Sequence, residues 1–154
     1  MANIQVRIQH DDFDLAAEYL RLRQENPGAG AIVTFTGLVR DFNAEGGVKS
    51  LFLEHYPAMT EKSLHRIIDQ AIGRWQLSAI TVIHRIGRIH AEEQIVMVAV
   101  AAAHRHDAFA VAEFVMDYLK TEAPFWKREQ GEDGEQWVDG KESDQRARER
   151  WRRT

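Results

Sequence analysis

Ile4, Val6 and Ile8 alternate with polar neighbours over residues 3–9, the period-two pattern of a strand with one buried face. Asp12 or Asp14 then offers an N-cap for a helix running to about Gln24, and the NPGAG run after it stops that helix and turns the chain. Residues 31–39, AIVTFTGLV, are β-branched and predict a second strand ending at Arg40, with the polar DFNAEGG stretch as a loop beyond it. Alternation resumes in VKSLFLEHY, residues 48–56, and stops before Pro57.

Helical spacing is clearest after Thr60, a plausible N-cap. Leu64, Ile67, Ile68, Ala71, Ile72 and Trp75 follow at intervals of three and four and predict one continuous buried stripe. Two further strands are expected at 79–87 (AITVIHRIG) and 94–103 (QIVMVAVAAA), with RIHAEE as their connection. The second is almost wholly apolar, as a central strand buried on both faces must be. A third helix spans about His104 to Thr121 and ends before Pro124. Its apolar residues cover more than half its circumference, so more than one neighbour covers it. FWKRE and EQWVDG then flank QGEDG as a hairpin, and SDQRARERWRRT forms a short helix or a frayed tail.

Helices separated by pairs of adjacent strands predict an α+β fold with a mixed, mostly antiparallel sheet. The 154 residues fit a single domain, 1–154, whose tail after about residue 145 is expected to be flexible. A net charge of -4 argues against a general nucleic-acid binder, which needs surplus Lys and Arg to displace counterions. The charge is uneven: six basic and three acidic residues lie between Lys141 and Thr154. With no cysteine, the chain has no disulfide, thiolate metal site or Cys nucleophile, so any sulfur chemistry must use sulfur brought by something else. The N-terminus lacks the pattern of a signal peptide, and the longest apolar stretch, Ile95 to Ala103, is too short to span a bilayer; the expected location is the cytoplasm, without membrane contact.

The candidate chemistry lies in cations at element ends. Arg40 closes a strand, His104 and Arg105 mark a strand-to-helix junction, Lys120 lies in a last helical turn, and Lys127 follows the Pro124 turn. If these ends converge they form a basic pocket in an acidic protein, suited to a phosphate-bearing small molecule. The dipole of the helix explains Lys120 equally well without any ligand. An ammonium held near other cations releases its proton more readily and can serve as acid, base or nucleophile; simple anion holding is the duller alternative. His104 and His106 with Asp107, and His84 and His90 further back, raise a metal site, but the chain contains no HExxH or other established spacing, so no metal is expected. The glycines fit neither dinucleotide nor Walker loops, and Ser63, Ser78 and Ser143 lack a nucleophile-elbow context.

VTFTGLVRDFN, LEHYPAMTEKSL, TVIHRIG, AAAHRHDAF, MDYLKTEAPFWKRE and WVDGKESDQ occur here in the order found in molybdopterin synthase large subunits, which the chain resembles from about Ala31 to Gln145. The resemblance implies an α/β hammerhead-type fold with an added small subdomain, and a homodimer within a heterotetramer. Each large subunit then receives a small ubiquitin-like subunit whose C-terminal Gly-Gly tail ends in a thiocarboxylate. That tail gives sulfur to cyclic pyranopterin monophosphate, and two donations yield the dithiolene of molybdopterin. The family needs no cofactor for this transfer. Carried over by position, Lys120 and Lys127 are catalytic, Lys127 at the thiocarboxylate or an enzyme-bound intermediate and Lys120 in proton transfer or substrate holding. Arg40, His104 and Arg105 match substrate-binding positions, Leu38 and Val39 border the pocket, and Arg128 and Glu129 shape it. Lys141 matches a basic position that reaches a neighbouring protomer's pocket. Other members carry a Lys where this chain has Leu38. Two rival readings remain: a non-catalytic dimeric scaffold that docks a ubiquitin-like tail, and a metal-dependent hydrolase using His104 and His106.

Overall fold

The computed structural model describes residues 2–40, 50–55, 57–122, 125–131, 134–138 and 142–153, and for 55, 57, 122, 125–131, 134–138, 142–145 and 153 the backbone alone. Among these described residues eight strands and four helices follow in the order β1 (Asn3–Gln9), α1 (Leu15–Glu25), β2 (Ala31–Leu38), β3 (Ser50–His55), α2 (Pro57–Ile72), β4 (Ala79–Arg85), β5 (Gly87–His90), β6 (Gln94–Ala102), α3 (Arg105–Glu122), β7 (Phe125–Gly131), β8 (Gly134–Val138) and α4 (Glu142–Arg150), with a 3₁₀ turn at Trp151–Arg153. The expected α+β class holds. The expected DFNAEGG loop lies outside the described residues.

The strands form two four-stranded sheets. The first runs β1-β4-β6-β2, with β1 and β4 parallel and the other pairs antiparallel; the second runs β5-β3-β7-β8 and is antiparallel throughout. Strand β6 is central, as its apolar run predicts. Val96, Val98, Val100 and Ala102 turn to one face and pack with Leu64, Ile67 and Ile68 of α2 and Val111 and Val115 of α3. Met97, Ala99 and Ala101 turn to the other face, against Phe13, Leu22 and Ile83 on the α1 side. Alternate positions of one strand thus seed two cores, which the side-chain period of two makes possible.

Asp14, rather than Asp12, caps α1, its Oδ1 accepting from the Ala17 N–H at 3.1 Å. Helix α2 begins at Pro57, three residues before the Thr60 cap expected from the sequence. Proline suits the first helical position, where its fixed φ is preorganised and its missing N–H had no partner to lose. Thr60 instead lies fully buried inside the helix, and Ile72, 37% exposed, leaves the stripe that Leu64, Ile67, Ile68 and Ala71 complete. RIHAEE is not a plain connection. Gly87 takes φ 82, a left-handed value that turns the chain out of β4, and the next residues form β5 in the second sheet. With one inward residue, Ile89, that strand is too short to announce itself.

The tail takes the helical one of its two readings. Helix α4 packs on α3, and Trp151 stands edge-on to Trp75 at 5.5 Å and to Phe114 at 5.6 Å. No helix among the described residues is long and apolar enough to cross a membrane.

On the α1 side, Glu18 hydrogen-bonds Arg7 and, at 3.2 Å, Arg21, which also donates to Thr81 at 2.9 Å. The Arg7 hydrogen bond above all holds the Glu18 carboxyl below its ordinary value of 4.5, against an opposing push from burial. A depressed folded-state value means the contribution is complete above the unfolded value and lost as pH falls through the folded one. Glu18→Gln is therefore expected to flatten the fall of the urea midpoint with acidification below pH 4.5, and an unchanged slope would show the cluster to be inert.

Candidate active site

The end of β2 is the most constrained part of the candidate site. A register shift between Gly37 and Leu38 carries the pairing from Val96 to Gln94 and sends Leu38 outward, 56% exposed, while Val39 turns in and is buried with Leu53 and Ile89. The bulge re-aims two consecutive side chains, the usual work of such irregularities. The Val39 N–H donates to the Glu93 carbonyl at 3.0 Å, and the Val39 carbonyl accepts from Glu92 N–H at 2.7 Å. Arg40, next along, is exposed.

The turn that holds Val39 is itself pinned. Glu92 takes φ 74, a left-handed value uncommon for a residue with a side chain, so its surroundings must hold it there. Arg85, 8% exposed, donates from Nη1 to the Gln94 carbonyl at 2.8 Å and from Nε to the His10 carbonyl at 3.1 Å. Its guanidinium stands 3.9 Å from Glu93, whose carboxylate also accepts the His90 N–H at 2.8 Å. Gln94 Nε2 closes the cluster on Asp12 Oδ1 at 2.9 Å and the Phe13 carbonyl at 3.0 Å. Sequence reading missed Arg85 and Glu93. The available signal was an arginine ending the inward-facing strand 79–85, where an unpaired charge is not tolerated.

Only Ala103 and His104 separate β6 from α3, so the helix must run back along the sheet. Fifteen residues at about 1.5 Å each carry Lys120 roughly 22 Å back toward the Gln94 end. Lys120 is exposed there, in the last turn. Strand β7 follows and pairs with β3 so that Lys127 lies opposite Leu53, Arg128 opposite Phe52 and Glu129 opposite Leu51. Leu53 packs on Val39, so the Lys127 backbone lies one strand away from the cluster that closes β2. Leu38, Val39, Arg40, Lys120 and the 127–129 backbone therefore share one end of the molecule. The side chains of Lys127, Arg128 and Glu129, and all of Lys141, lie outside the described residues.

His104 and Arg105 are exposed at the opposite end. Ala31 pairs with Ala102 and Leu38 with Gln94, so about seven strand residues, roughly 23 Å, separate the His104 junction from the end of β2. Within one chain the five cations do not form one pocket. A cleft of about 630 Å³ opens beside Ala103 at the His104 end, lined by Glu25, Asn26, Trp75 and Gln76 among others, and it does not coincide with the Lys120 end. Among the described residues no three His, Asp or Glu side chains gather as metal ligands. His84 is buried, with Nδ1 2.7 Å from the Arg85 carbonyl oxygen.

Comparison with known proteins agrees with this architecture. The family described as MoaE protein matches residues 8–122. The chain belongs to the MoaE family. The molybdopterin synthase catalytic subunit of Ralstonia nicotianae is 54% identical over 146 residues, 95% of this chain and 83% of that protein. The corresponding subunit of Vibrio cholerae is 53% identical over 146 residues, covering 95% of this chain and 97% of that one. The solved structure of the molybdopterin biosynthesis MoaE protein from Burkholderia ambifaria superposes with a TM-score of 0.81 at 54% identity, covering 98% of each chain.

In this MoaE-family chain the Arg85 cluster fixes the backbone that presents Leu38 and Arg40. Arg85→Ala, which removes the donor from the part-buried His10 and Gln94 carbonyls, is expected to lower the unfolding free energy by about 1–3 kcal/mol in urea titration. Arg85→Lys should recover only part of that, since an ammonium cannot reproduce the fork of a guanidinium. Full recovery by lysine would show that charge alone matters here.

Proposed function

We propose that this chain is the catalytic subunit of a molybdopterin synthase, moving sulfur from a partner's C-terminal thiocarboxylate to cyclic pyranopterin monophosphate in molybdenum cofactor biosynthesis. The observation that carries this reading is the exposed Lys120 at the same end as Leu38–Arg40 and the Lys127 strand, in a chain whose relatives are named for that activity. The partner is a small ubiquitin-like subunit with a Gly-Gly tail, and the large subunits pair as a homodimer within a heterotetramer. The chain acts as one domain and works in the cytoplasm, as suits a biosynthetic enzyme of bacterial relatives.

The electrostatic task is definite. A thiocarboxylate and a phosphate are both anions, and their approach in a partly desolvated site is strongly unfavourable without cations. Lys120, Lys127 and Arg40 offset that repulsion and hold sulfur and acceptor carbon in reach. Lys127 meets the thiocarboxylate or an enzyme-bound intermediate, and Lys120 moves a proton or holds the substrate; Leu38, Val39, Arg128 and Glu129 border and shape the pocket. In each transfer a carbon–sulfur bond forms on the pterin side chain as a carbon–oxygen bond there breaks and the oxygen leaves; water then cleaves the acyl carbon–sulfur bond, so that the tail ends as a carboxylate and the sulfur stays on the pterin. The absence of cysteine from the chain accords with sulfur carried by the partner.

His104 and Arg105 enter through a second copy. Strand β2 lies at the edge of its sheet, and residues 31–38 contain neither charge nor proline to protect that edge. Phe35 of that strand is 40% exposed. Antiparallel pairing of β2 with its counterpart across a two-fold axis sets the start of one strand beside the end of the other. The second copy's His104 and Arg105 then stand near Leu38–Arg40 of the first, where they bind phosphate and pterin, and Lys141 reaches across similarly.

Reconstituted turnover with a thiocarboxylated partner and the pyranopterin precursor tests the assignment. Lys120→Ala and Lys127→Ala should each lose about a hundredfold or more in rate while still binding the partner; partner binding without product in wild type would mark a docking scaffold. In the same assay, mixing and reassorting Arg40→Ala with His104→Ala protein should restore about a quarter of wild-type activity, because one site in each mixed dimer is intact. No recovery would place both residues in a site within one chain.

A further inference from the structure

Lys120 shares its side of α3 with Glu113 and Asp117, seven and three residues before it. A carboxylate three residues from a lysine on a helix is placed to pair with it. An ammonium so paired is less available to an incoming anion.

The C-terminal tail engages both carboxylates instead. Arg150 donates to Glu113 and, at 3.0 Å, to Asp117 Oδ2; Trp151 Nε1 donates to the same oxygen at 2.6 Å. The hydrogen bond from Arg150 to Glu113 is the chief cause of a raised Arg150 value, partly offset by burial. Trp151 is seated firmly enough to act as a donor of fixed direction, standing edge-on to Trp75 and Phe114, with its carbonyl accepting from Arg74 Nη2 at 3.0 Å. Among the described residues no carboxylate pairs with Lys120.

We propose that Arg150 and Trp151 are positioning residues for sulfur transfer, engaging Glu113 and Asp117 so that Lys120 stays open to the anionic substrate. The proposal rests on Lys120 being catalytic, and it gives the Arg-rich tail a role beyond stabilising α3. A purely structural tail would change stability and activity together. A tail that holds carboxylates away from Lys120 predicts that removing the freed carboxylate restores what loss of the tail contacts takes away.

The test reads Lys120 directly. Intact protein is acetylated competitively with acetic anhydride, and labelling of Lys120 relative to the exposed Lys62 is measured by peptide mass spectrometry, alongside turnover. In Arg150→Gln/Trp151→Phe, Lys120 labelling should fall by a factor of roughly 1.5 to 2, and KM for the pterin precursor should rise more than kcat falls. Adding Asp117→Asn should restore both. Arg150→Gln alone, which leaves the Trp151 ring seated, keeps the comparison readable if the double variant folds poorly, and should show a smaller change in the same direction. Unchanged or increased labelling without the tail contacts overturns the proposal, as does a loss that Asp117→Asn fails to restore. Should wild type yield no product while the labelling pattern holds, the catalytic reading of Lys120 fails and the arrangement of the tail stands.

Discussion

Burial of β6 on both faces is the constraint from which the rest of the structure follows. Seven consecutive residues, Val96 to Ala102, are shielded from water, and a strand so apolar is stable only with helices over both of its faces. Helix α1 covers one face, α2 and α3 the other. The short Ala103–His104 connection then turns α3 back along the sheet, and that reversal brings Lys120 to the end where β2 finishes. The position of a candidate catalytic group is thus set by hydrophobic burial some 20 Å away, by roughly the length of a helix of this size.

The same pairing that brings Lys120 to one end takes His104 and Arg105 to the other. An antiparallel β2–β6 pair cannot place both termini of β6 at one site, so a single chain brings three of the five candidate cations to one end and leaves two at the other. The two-fold axis proposed at the β2 edge would resolve this without new elements, because antiparallel edge pairing exchanges the two ends. In the proposed dimer the divided site and the β2 edge, open among the described residues, would be one feature, with a second copy using the edge.

Periodic elements were legible in the sequence. The alternation of residues 3–9, the stripe from Leu64 to Ala71 and the apolar run of β6 each carry enough repeats to fix their type. Short and locally ambiguous elements were not. Strand β5 has one inward residue, and Pro57 starts a helix where a Thr three residues later offered a stronger capping signal. The candidate cations were visible as residues at element ends, but their distribution depends on strand direction, which local periodicity does not encode. Arg85 and Asp117 were invisible as functional residues for a further reason. Their roles lie in hydrogen bonds to partners distant in sequence, His10 for one and Trp151 for the other.

The proposed function requires a carboxyl-ended tail from a ubiquitin-like partner to reach the Lys120 and Lys127 end of this chain. Carbodiimide coupling of the unmodified Gly-Gly tail, followed by peptide mass spectrometry, tests it most directly, because the reagent joins a carboxylate only to an amine within bonding distance. Isopeptide bonds are expected from the terminal glycine to Lys120 or Lys127, suppressed by the pterin precursor. Coupling to Lys62 on α2 with neither of those lysines modified would contradict it.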